Sequence, residues 1–360
     1  MLSSLAKGRC LPRGSYGTAI PIFTSNNIMN MELHMARNAL ISEKRFKQIE
    51  ARQHTNRWGA EYQPAMRATR DEAPKISRPS TMYSAKIGRE LHFMSQVERH
   101  VCLLALYHPR IFDIHEQHAL QPFEAPHPLA EHKDAYGIAL APVRGTVAVA
   151  DELGMLSRHP VIWLHDKATG KEKQHAFPYL GDLLLFLNDE DGPYCVNWSV
   201  KATREDFFER ASPHRGAAGA TTVNATTTVN PRHHLEQQYF ADARIPTHFV
   251  AGEDLNVNLI HNLNSLFAKS QSPSTVSLEA EEQLVHTFQN IVDTEHTVLS
   301  LLSTLMDRFQ CGRHEVLHTL SRAIWHRRVR LDLYKPILVD KPLRRERSDI
   351  LIDYAHLFGR

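Results

Sequence analysis

The amino-acid sequence predicts an α/β fold that is followed by a small, mostly helical domain. Before residue 268, stretches with strand-like alternation are interleaved with stretches that have helical periodicity. After residue 281, apolar residues recur at helical spacing through EQLVHTFQNIVDTEHTVLSLLSTLMDRF. The 360 residues, of which 42% are hydrophobic and 23% charged, suffice for two ordinary domains with hydrophobic cores.

Residues 1–40 are expected to form a poorly ordered N-terminal extension, and the first convincing helix begins near Ile41. Residues 1–25 contain Arg and Ser but no acidic residue, as transit peptides do, yet they show no amphipathic period. They also lack the apolar segment of a secretory signal, and no apolar run in the chain approaches the roughly 18 residues of a membrane span. The four cysteines are far apart, without a Cys-x-x-Cys pair. We therefore expect a cytoplasmic protein with no membrane partner.

The charge of the chain is small but unevenly distributed. The net charge is +2, whereas residues 1–110 carry 17 Lys and Arg against 8 Asp and Glu, a local excess of +9. A second basic cluster extends from WHRRVRLDLYKP to DKPLRRER near the C-terminus. Two basic surfaces around an acidic centre favour contact with a polyanion, although basic clusters are also common on surfaces that face only water.

The stretch SAKIGRELHFMSQVERHVCLLALYHPRIFDIHEQ predicts a loop, a helix capped by Ser95, and a strand through Ile111–Ile114. Glu98 lies beside the apolar stripe of this helix, where packing on a sheet would direct its carboxylate inward. On this pattern alone, Glu98 could equally be a surface partner of Arg99 or His100. The predicted buried stripe consists of Val97, Val101 and Leu104.

The stretch YLGDLLLFLNDEDGPYCVNWSVKA, residues 179–202, predicts a β-hairpin. If its turn centres on residues 190–191, Asp182 falls opposite Ser199 or Val200 and within a residue or two of Lys201. A carboxylate beside a main-chain carbonyl can hold a hard cation such as Mg²⁺, and an ammonium can orient water or offset charge during phosphodiester cleavage. An ordinary Asp–Lys pair across two strands is the structural alternative.

Two stretches interrupt the regular patterns. ASPHRGAAGATTVNATTTVN, residues 211–230, is a low-complexity insertion with too few apolar side chains to build a core. AKSQSPSTVSLEAE, residues 268–281, is a Ser- and Pro-rich linker. We therefore expect an α/β domain over residues 41–267 and a helical domain over residues 282–360.

Five blocks follow one another in this order: SAKIGRELHFMSQVE, FDIHEQHAL, GMLSRHPVI, GDLLLF with WSVKA, and HHLEQQYFADARIPTHFV. In order and spacing they resemble the TnsA family, the endonuclease subunits of heteromeric cut-and-paste transposases and members of the PD-(D/E)xK nucleases. The similarity runs from about Phe46 to Phe267, and from about Leu284 the chain is more weakly similar to the winged-helix domain of that family. The resemblance implies a restriction-endonuclease-like mixed sheet flanked by helices, followed by a winged-helix-like domain.

Position by position, the resemblance implies that Glu98 is the catalytic acid, Asp182 the metal-binding aspartate and Lys201 the catalytic lysine. Ser199 stands where the family has glutamine, and it would bind the metal through its main-chain carbonyl. Two further family acids match Glu116 and Glu236. The basic residues expected to contact DNA phosphates are Lys86, Arg89, Arg327, Arg328 and Arg330.

The activity implied by this resemblance is Mg²⁺-dependent DNA cleavage, with Mn²⁺ as a substitute, on the non-transferred strand at each transposon end. The implied partners are double-stranded DNA, a DDE-type (TnsB-like) transposase subunit and an AAA+ (TnsC-like) ATPase regulator. The implied location is a bacterial cytoplasm, at the nucleoid during transposition. A non-catalytic DNA-binding or scaffolding relative with the same fold is the alternative.

The pentapeptide HEVLH, residues 314–318, matches the helix-borne zinc signature of metalloproteases. The extended signature requires glycine at 321 and histidine at 324, where this chain has Ser321 and Ile324. A metalloprotease is therefore a remote alternative, as is incidental zinc bound by Cys311, His314 and His318. Helical phasing instead predicts a structural helix before a strand-like wing, VRLDLYKPI. Its buried stripe would be Val316, Leu317, Leu320 and Ile324, with His314, His318, Arg322 and Trp325 toward other faces.

Overall fold

The computed structural model describes residues 41–53, 57–166, 170–209 and 228–360, which belong to one compact unit. The predicted N-terminal extension and residues 211–227 of the predicted insertion lie outside these ranges. The helices are α1 (Glu43–Gln53), α2 (Gln96–Tyr107), α3 (Thr146–Glu152), α4 (Pro231–Asp242), α5 (Val257–Ser270), α6 (Leu278–Ile291), α7 (Val298–Phe309), α8 (Arg313–Trp325) and α9 (Ile350–Asp353). The strands are β1 (Ser80–Ser84), β2 (Arg89–Phe93), β3 (Ile111–Leu120), β4 (Val161–His165), β5 (Glu172–Ala176), β6 (Tyr179–Asp189), β7 (Gly192–Lys201) and β8 (Thr247–Ala251).

The centre of the fold is a mixed four-stranded sheet in the order β3-β6-β7-β8. Strands β3 and β7 are each antiparallel to β6, whereas β8 is parallel to β7. Strands β6 and β7 form the predicted hairpin, with Asp189 opposite Gly192 across the turn. The predicted α/β class and the mixed sheet flanked by helices are therefore confirmed.

Both faces of the sheet are covered, which explains why β6 is a nearly continuous apolar run rather than an alternating one. Helices α2 and α5 pack on one face with Leu183, Leu185 and Val196. Helices α3 and α4 lie on the opposite face, where Leu184 and Phe186 join the core. The hairpin is thus held between two helical layers, and its far end, at Asp182 and Lys201, lies near the first turn of α2.

Strand β3 is longer than the sequence indicated. The prediction ended the strand at Ile114, but it continues to Leu120 through a run of polar residues. The continuation was missed because these polar groups are buried in pairs instead of facing water: Glu116 binds Arg89, and Asp113 lies 3.5 Å from the His115 ring. A buried polar strand carries no apolar alternation for a sequence pattern to detect.

The C-terminal region contains the predicted helices and packs against the sheet layer. Trp325 was expected to lie off the buried stripe of its helix but is only 6% exposed, because it packs against Tyr107 of α2 and Phe267 of α5. The non-helical part of the predicted linker lies between Ser270 and Leu278. The separate helical domain over residues 282–360 stays a prediction.

The predicted wing strand over residues 329–337 is wrong, since no strand is present there. The side-chain amide of Asn262 in α5 donates to the carbonyls of Leu333 and Lys335, at 2.8 and 2.7 Å. These bonds take main-chain acceptors that a strand would offer to a neighbouring strand. Among the described residues, no helix is both long enough and apolar enough to cross a membrane.

Candidate active site

Asp182 and Lys201 meet at the open end of the β6–β7 hairpin. Leu183 pairs with Trp198, so Asp182 stands opposite Ser199, as the sequence predicted. The Asp182 carboxylate accepts a hydrogen bond of 2.7 Å from the main-chain N–H of Val200. Lys201 Nζ lies 3.7 Å from Asp182 Oδ2 and donates to the Val200 carbonyl at 2.9 Å. The hairpin register therefore joins an acid and a lysine in one partly exposed cluster.

Helix α2 supplies the third group, Glu98, through its own N-terminal cap. The Ser95 hydroxyl accepts from the Glu98 N–H at 3.2 Å and donates to Glu98 Oε1 at 2.8 Å, while the Met94 N–H donates to Oε2 at 2.9 Å. The first contact is the N-cap bond expected of a Ser-x-x-Glu sequence, whereas Glu98 binds the Met94 N–H and the Ser95 hydroxyl rather than the Ser95 N–H of a complete capping box. The cap explains why Glu98 is only 7% exposed. The surface alternative does not hold for Arg99, which instead binds Asn264 at 2.7 Å.

The Glu98 carboxylate lies close enough to Asp182 for the two charges to interact. Burial, followed by the charge of Asp182, raises the pKa of Glu98 to about 7, although hydrogen bonds from Met94 and Ser95 and the charge of Lys201 oppose the rise. Two carboxylates that repel one another in a poorly solvated place favour a proton or a cation between them. The site is therefore short of positive charge at neutral pH.

The donor set at this point fits a hard divalent cation. Mg²⁺ is commonly held by one or two carboxylates while it keeps several waters. Across the described parts of the chain, no group of three or more His, Cys, Asp and Glu side chains is placed to hold a metal ion. A cation here would thus rest on Glu98 and Asp182, with main-chain carbonyls and water as further ligands. The predicted role of the Ser199 carbonyl stays a prediction.

The Ser199 side chain and Glu236 belong to a separate buried cluster under α4. Ser199 Oγ lies 3.2 Å from His233 Nδ1 and 3.4 Å from Glu236 Oε2, and Asn197 donates to Glu236 Oε1 at 3.0 Å. Burial raises the pKa of Glu236, but the hydrogen bond with His233, the charge of Arg232 and the Asn197 bond together hold it below its usual range. Glu236 is therefore an ionised acid whose partners come from the protein.

Glu116, the other predicted acid, is also bound within the fold. Its side chain is fully buried, and its two oxygens accept from Arg89 Nη1 and Nη2 at 2.7 and 2.8 Å. Arg89 was expected to contact DNA, but it is only 7% exposed and both terminal nitrogens bind Glu116. The prediction that Arg89 contacts a DNA phosphate is therefore wrong, because its guanidinium is buried and both terminal nitrogens bind Glu116.

The remaining predicted DNA contacts are engaged with other groups of the chain. Lys86 Nζ donates to the carbonyls of Leu106 and His108, at 3.3 and 2.7 Å, and so caps the C-terminal end of α2. The arginines near the C-terminus each pair with carboxylates, which lowers the positive charge of the predicted basic cluster. These pairs are Arg327 with Asp349, Arg328 with Glu282, and Arg330 with Glu346 and Asp349.

The HEVLH segment lies on α8, but its glutamate serves the packing of the helix. Glu315 binds Arg322 at 2.6 Å and accepts from the Thr275 hydroxyl at 2.7 Å, so it fixes the preceding linker to α8. Arg322 was expected to lie off the buried stripe of the helix, but it is buried where it binds Glu315. The rings of His314 and His318 have centroids 6.2 Å apart. The carboxylate that would activate water in a metalloprotease is thus committed to an arginine.

Sequence reasoning missed Gln117, which follows Glu116 in the HEQ block. Its Nε2 donates to Glu98 Oε2 at 3.0 Å, and its residue stands opposite Asp182, between the paired positions Glu116–Leu183 and His118–Gly181. The available signal was position alone, since the residue after Glu116 in a strand faces the other way. A neutral amide between titratable residues matches none of the patterns that indicate a catalytic or metal-binding residue.

No protein-family model matches this chain, and no curated protein matches its sequence. The resemblance to the TnsA family therefore stays a prediction from the sequence.

Proposed function

We propose that this chain is a Mg²⁺-dependent DNA endonuclease, a TnsA-like hydrolase that cuts the non-transferred strand at the 5′ side of transposon ends. The proposal is carried by the convergence of Glu98, Asp182 and Lys201 from three elements, in the order that the resemblance implies. Double-stranded DNA, a DDE-type transposase subunit and an AAA+ ATPase regulator are the proposed partners.

The ion pairs of the buried acids support a cation at this site. Among the buried acidic side chains of the described ranges, Glu98 alone lacks a Lys, Arg or His partner within ion-pair distance. An unpaired buried carboxylate is costly unless a charge from outside joins it. The other acids and their partners are Asp113 with His115, Glu116 with Arg89, Glu236 with His233, Glu315 with Arg322, and Asp332 with Lys335.

Each residue of the site has a chemical task in this proposal. Asp182, fixed by the Val200 N–H, and Glu98, fixed by its helix cap, would hold the cation. The cation would supply Lewis acidity at the scissile phosphate. Lys201 has a side chain that is 29% exposed, so its ammonium can reach solvent, orient an attacking water and offset charge that develops on the phosphate.

The first test is metal binding by the purified full-length chain, measured by titration calorimetry with Mn²⁺ and with Mg²⁺. We expect saturable binding that Asp182→Ala weakens by at least about tenfold, the loss seen even for groups that only support metal ligands. Asp189→Ala is the matched control, since Asp189 lies on the same strand but pairs with Arg360. Absence of binding to the unaltered chain, or equal binding by the two variants, would overturn the proposed centre.

The second test is cleavage of end-labelled transposon DNA by the chain reconstituted with its transposase and ATPase partners. Lys201→Ala should abolish the 5′-side cut while circular dichroism and metal binding remain unchanged, because Lys201 is not a ligand in the proposal. Undiminished cutting by Lys201→Ala would refute its role. A complex that binds metal but makes no metal-dependent cut would instead favour the scaffolding alternative.

A further inference from the structure

Gln117 occupies an unusual backbone conformation between the two acids of the site. It lies within β3, yet its φ is 48°, in the left-handed region that favours glycine. The flanking pairs Glu116–Leu183 and His118–Gly181 keep the β3–β6 register, so Gln117 remains opposite Asp182. The Gln117 carbonyl accepts a hydrogen bond of 2.9 Å from the Ala65 N–H, which helps to hold this main-chain conformation.

The choice of glutamine at this position is informative. A left-handed conformation costs an L-residue with a side chain roughly 1–2 kcal/mol, and glycine would adopt it without that cost. Gln117 is only 5% exposed, so its amide group is not there to be hydrated by solvent and needs partners within the protein. Its amide meets Glu98 at 3.0 Å, the one side-chain hydrogen bond that links Glu98 to the sheet among the described contacts.

We propose that Gln117 is a positioning residue of the metal centre, an inference that rests on the proposed function. The amide N–H holds Glu98 Oε2 toward the strand that carries Asp182, and the left-handed backbone is what allows the side chain to reach α2. Ser95 and Met94 fix the carboxylate to its own helix, whereas Gln117 fixes it relative to Asp182. Without Gln117, no side-chain hydrogen bond within the described part of the chain would fix the position of the Glu98 carboxylate relative to Asp182.

Gln117→Gly separates this role from a purely structural one. The glycine removes the amide and also relieves the backbone, so the free energy of unfolding should stay equal or rise by about 1 kcal/mol. Metal binding should nevertheless weaken by about 10- to 100-fold, as for other groups that orient metal ligands. Gln117→Asn is the second variant, because asparagine tolerates the left-handed region but is one methylene too short to make the same contact.

Gln310→Gly is the matched control. Gln310 is also a glutamine in the left-handed region, with φ 49°, but it ends α7 in the C-terminal region. This variant should show a similar change in urea stability and unchanged Mn²⁺ affinity.

Three outcomes of the Mn²⁺ titration are distinguishable. Weakened binding by both Gln117 variants, with stability retained and Gln310→Gly unaffected, supports the positioning role. Normal Mn²⁺ binding by Gln117→Gly and Gln117→Asn overturns this inference and leaves the proposed function intact. Failure of the unaltered chain to bind Mn²⁺ overturns the proposed function itself.

Discussion

Replacing Glu98 with glutamine should stabilise the folded chain while it removes the proposed metal ligand. The substitution keeps the shape of the side chain and most of its contacts. The amide oxygen can take the place of Oε2 and accept from Met94 and Gln117, while the amide nitrogen can donate to the Ser95 hydroxyl. The principal change is the loss of a buried negative charge beside Asp182.

The size of the effect follows from the pKa of Glu98, which is raised from its ordinary value of 4.5 to about 7. An acid with a raised folded-state pKa favours folding most when it is protonated, and that advantage is lost as the pH rises from 4.5 to 7. At about 1.36 kcal/mol per pKa unit, ionised Glu98 lowers the free energy of unfolding by about 3 kcal/mol at pH 8. At pH 5 the same calculation gives only about 1 kcal/mol.

Urea denaturation in EDTA at pH 5 and pH 8 tests this reasoning. Glu98→Gln should unfold at higher urea than the unaltered chain, with a gain about 2 kcal/mol larger at pH 8 than at pH 5. Glu90→Gln, which removes a charge from an exposed side chain of β2, controls for net charge and should show no such pH-dependent gain. A Glu98→Gln variant that is less stable at pH 8, or equally affected at both pH values, would refute the reasoning.

Two further substitutions test how the surrounding fold supports the site. Arg89→Met should lower the free energy of unfolding by about 3–5 kcal/mol in urea denaturation, because it leaves Glu116 buried without its cation. The double variant with Arg89→Met and Glu116→Leu should recover much of that loss, because it removes the buried charge as well. Gly252→Ala should lower the free energy of unfolding by about 1–3 kcal/mol and weaken Mn²⁺ binding, since a Cβ there would lie 2.6 Å from Val97 Cγ1 in the first turn of α2. Gly312→Ala is the control, because a Cβ at Gly312 would meet no atom within 4 Å and should change neither measurement much.

The hairpin was the part of the fold that the sequence predicted best. Its turn residues, its apolar run and the alternation of β7 are all local signals, and together they limited the residue opposite Asp182 to Ser199 or Val200, of which the structure has Ser199. The cap of α2 at Ser95 was predictable for the same reason, since the Ser-x-x-Glu spacing is itself local.

The features that sequence patterns missed depend on contacts between distant residues. Arg89 and Glu116 are separated by 27 positions, and their pairing turns a predicted DNA contact and a predicted site acid into one buried ion pair. The left-handed backbone of Gln117 likewise has no glycine or asparagine to announce it. Segment 329–337 alternates like a strand, but Asn262, about 70 positions earlier, binds its main chain.

The costs found around Glu98 argue that its arrangement is selected for something other than stability. Among the residues that the structure describes, a buried carboxylate without a Lys, Arg or His side chain within ion-pair distance and a left-handed glutamine that binds it occur together at this point of the fold. Strain of this kind persists where function requires a defined geometry, whereas each of the other buried acids in the described fold has a Lys, Arg or His side chain within ion-pair distance. A divalent cation between Glu98 and Asp182 would relieve the largest of these costs, because it favours the ionised form of both carboxylates. The same charges that destabilise the unloaded fold would then provide its affinity for metal.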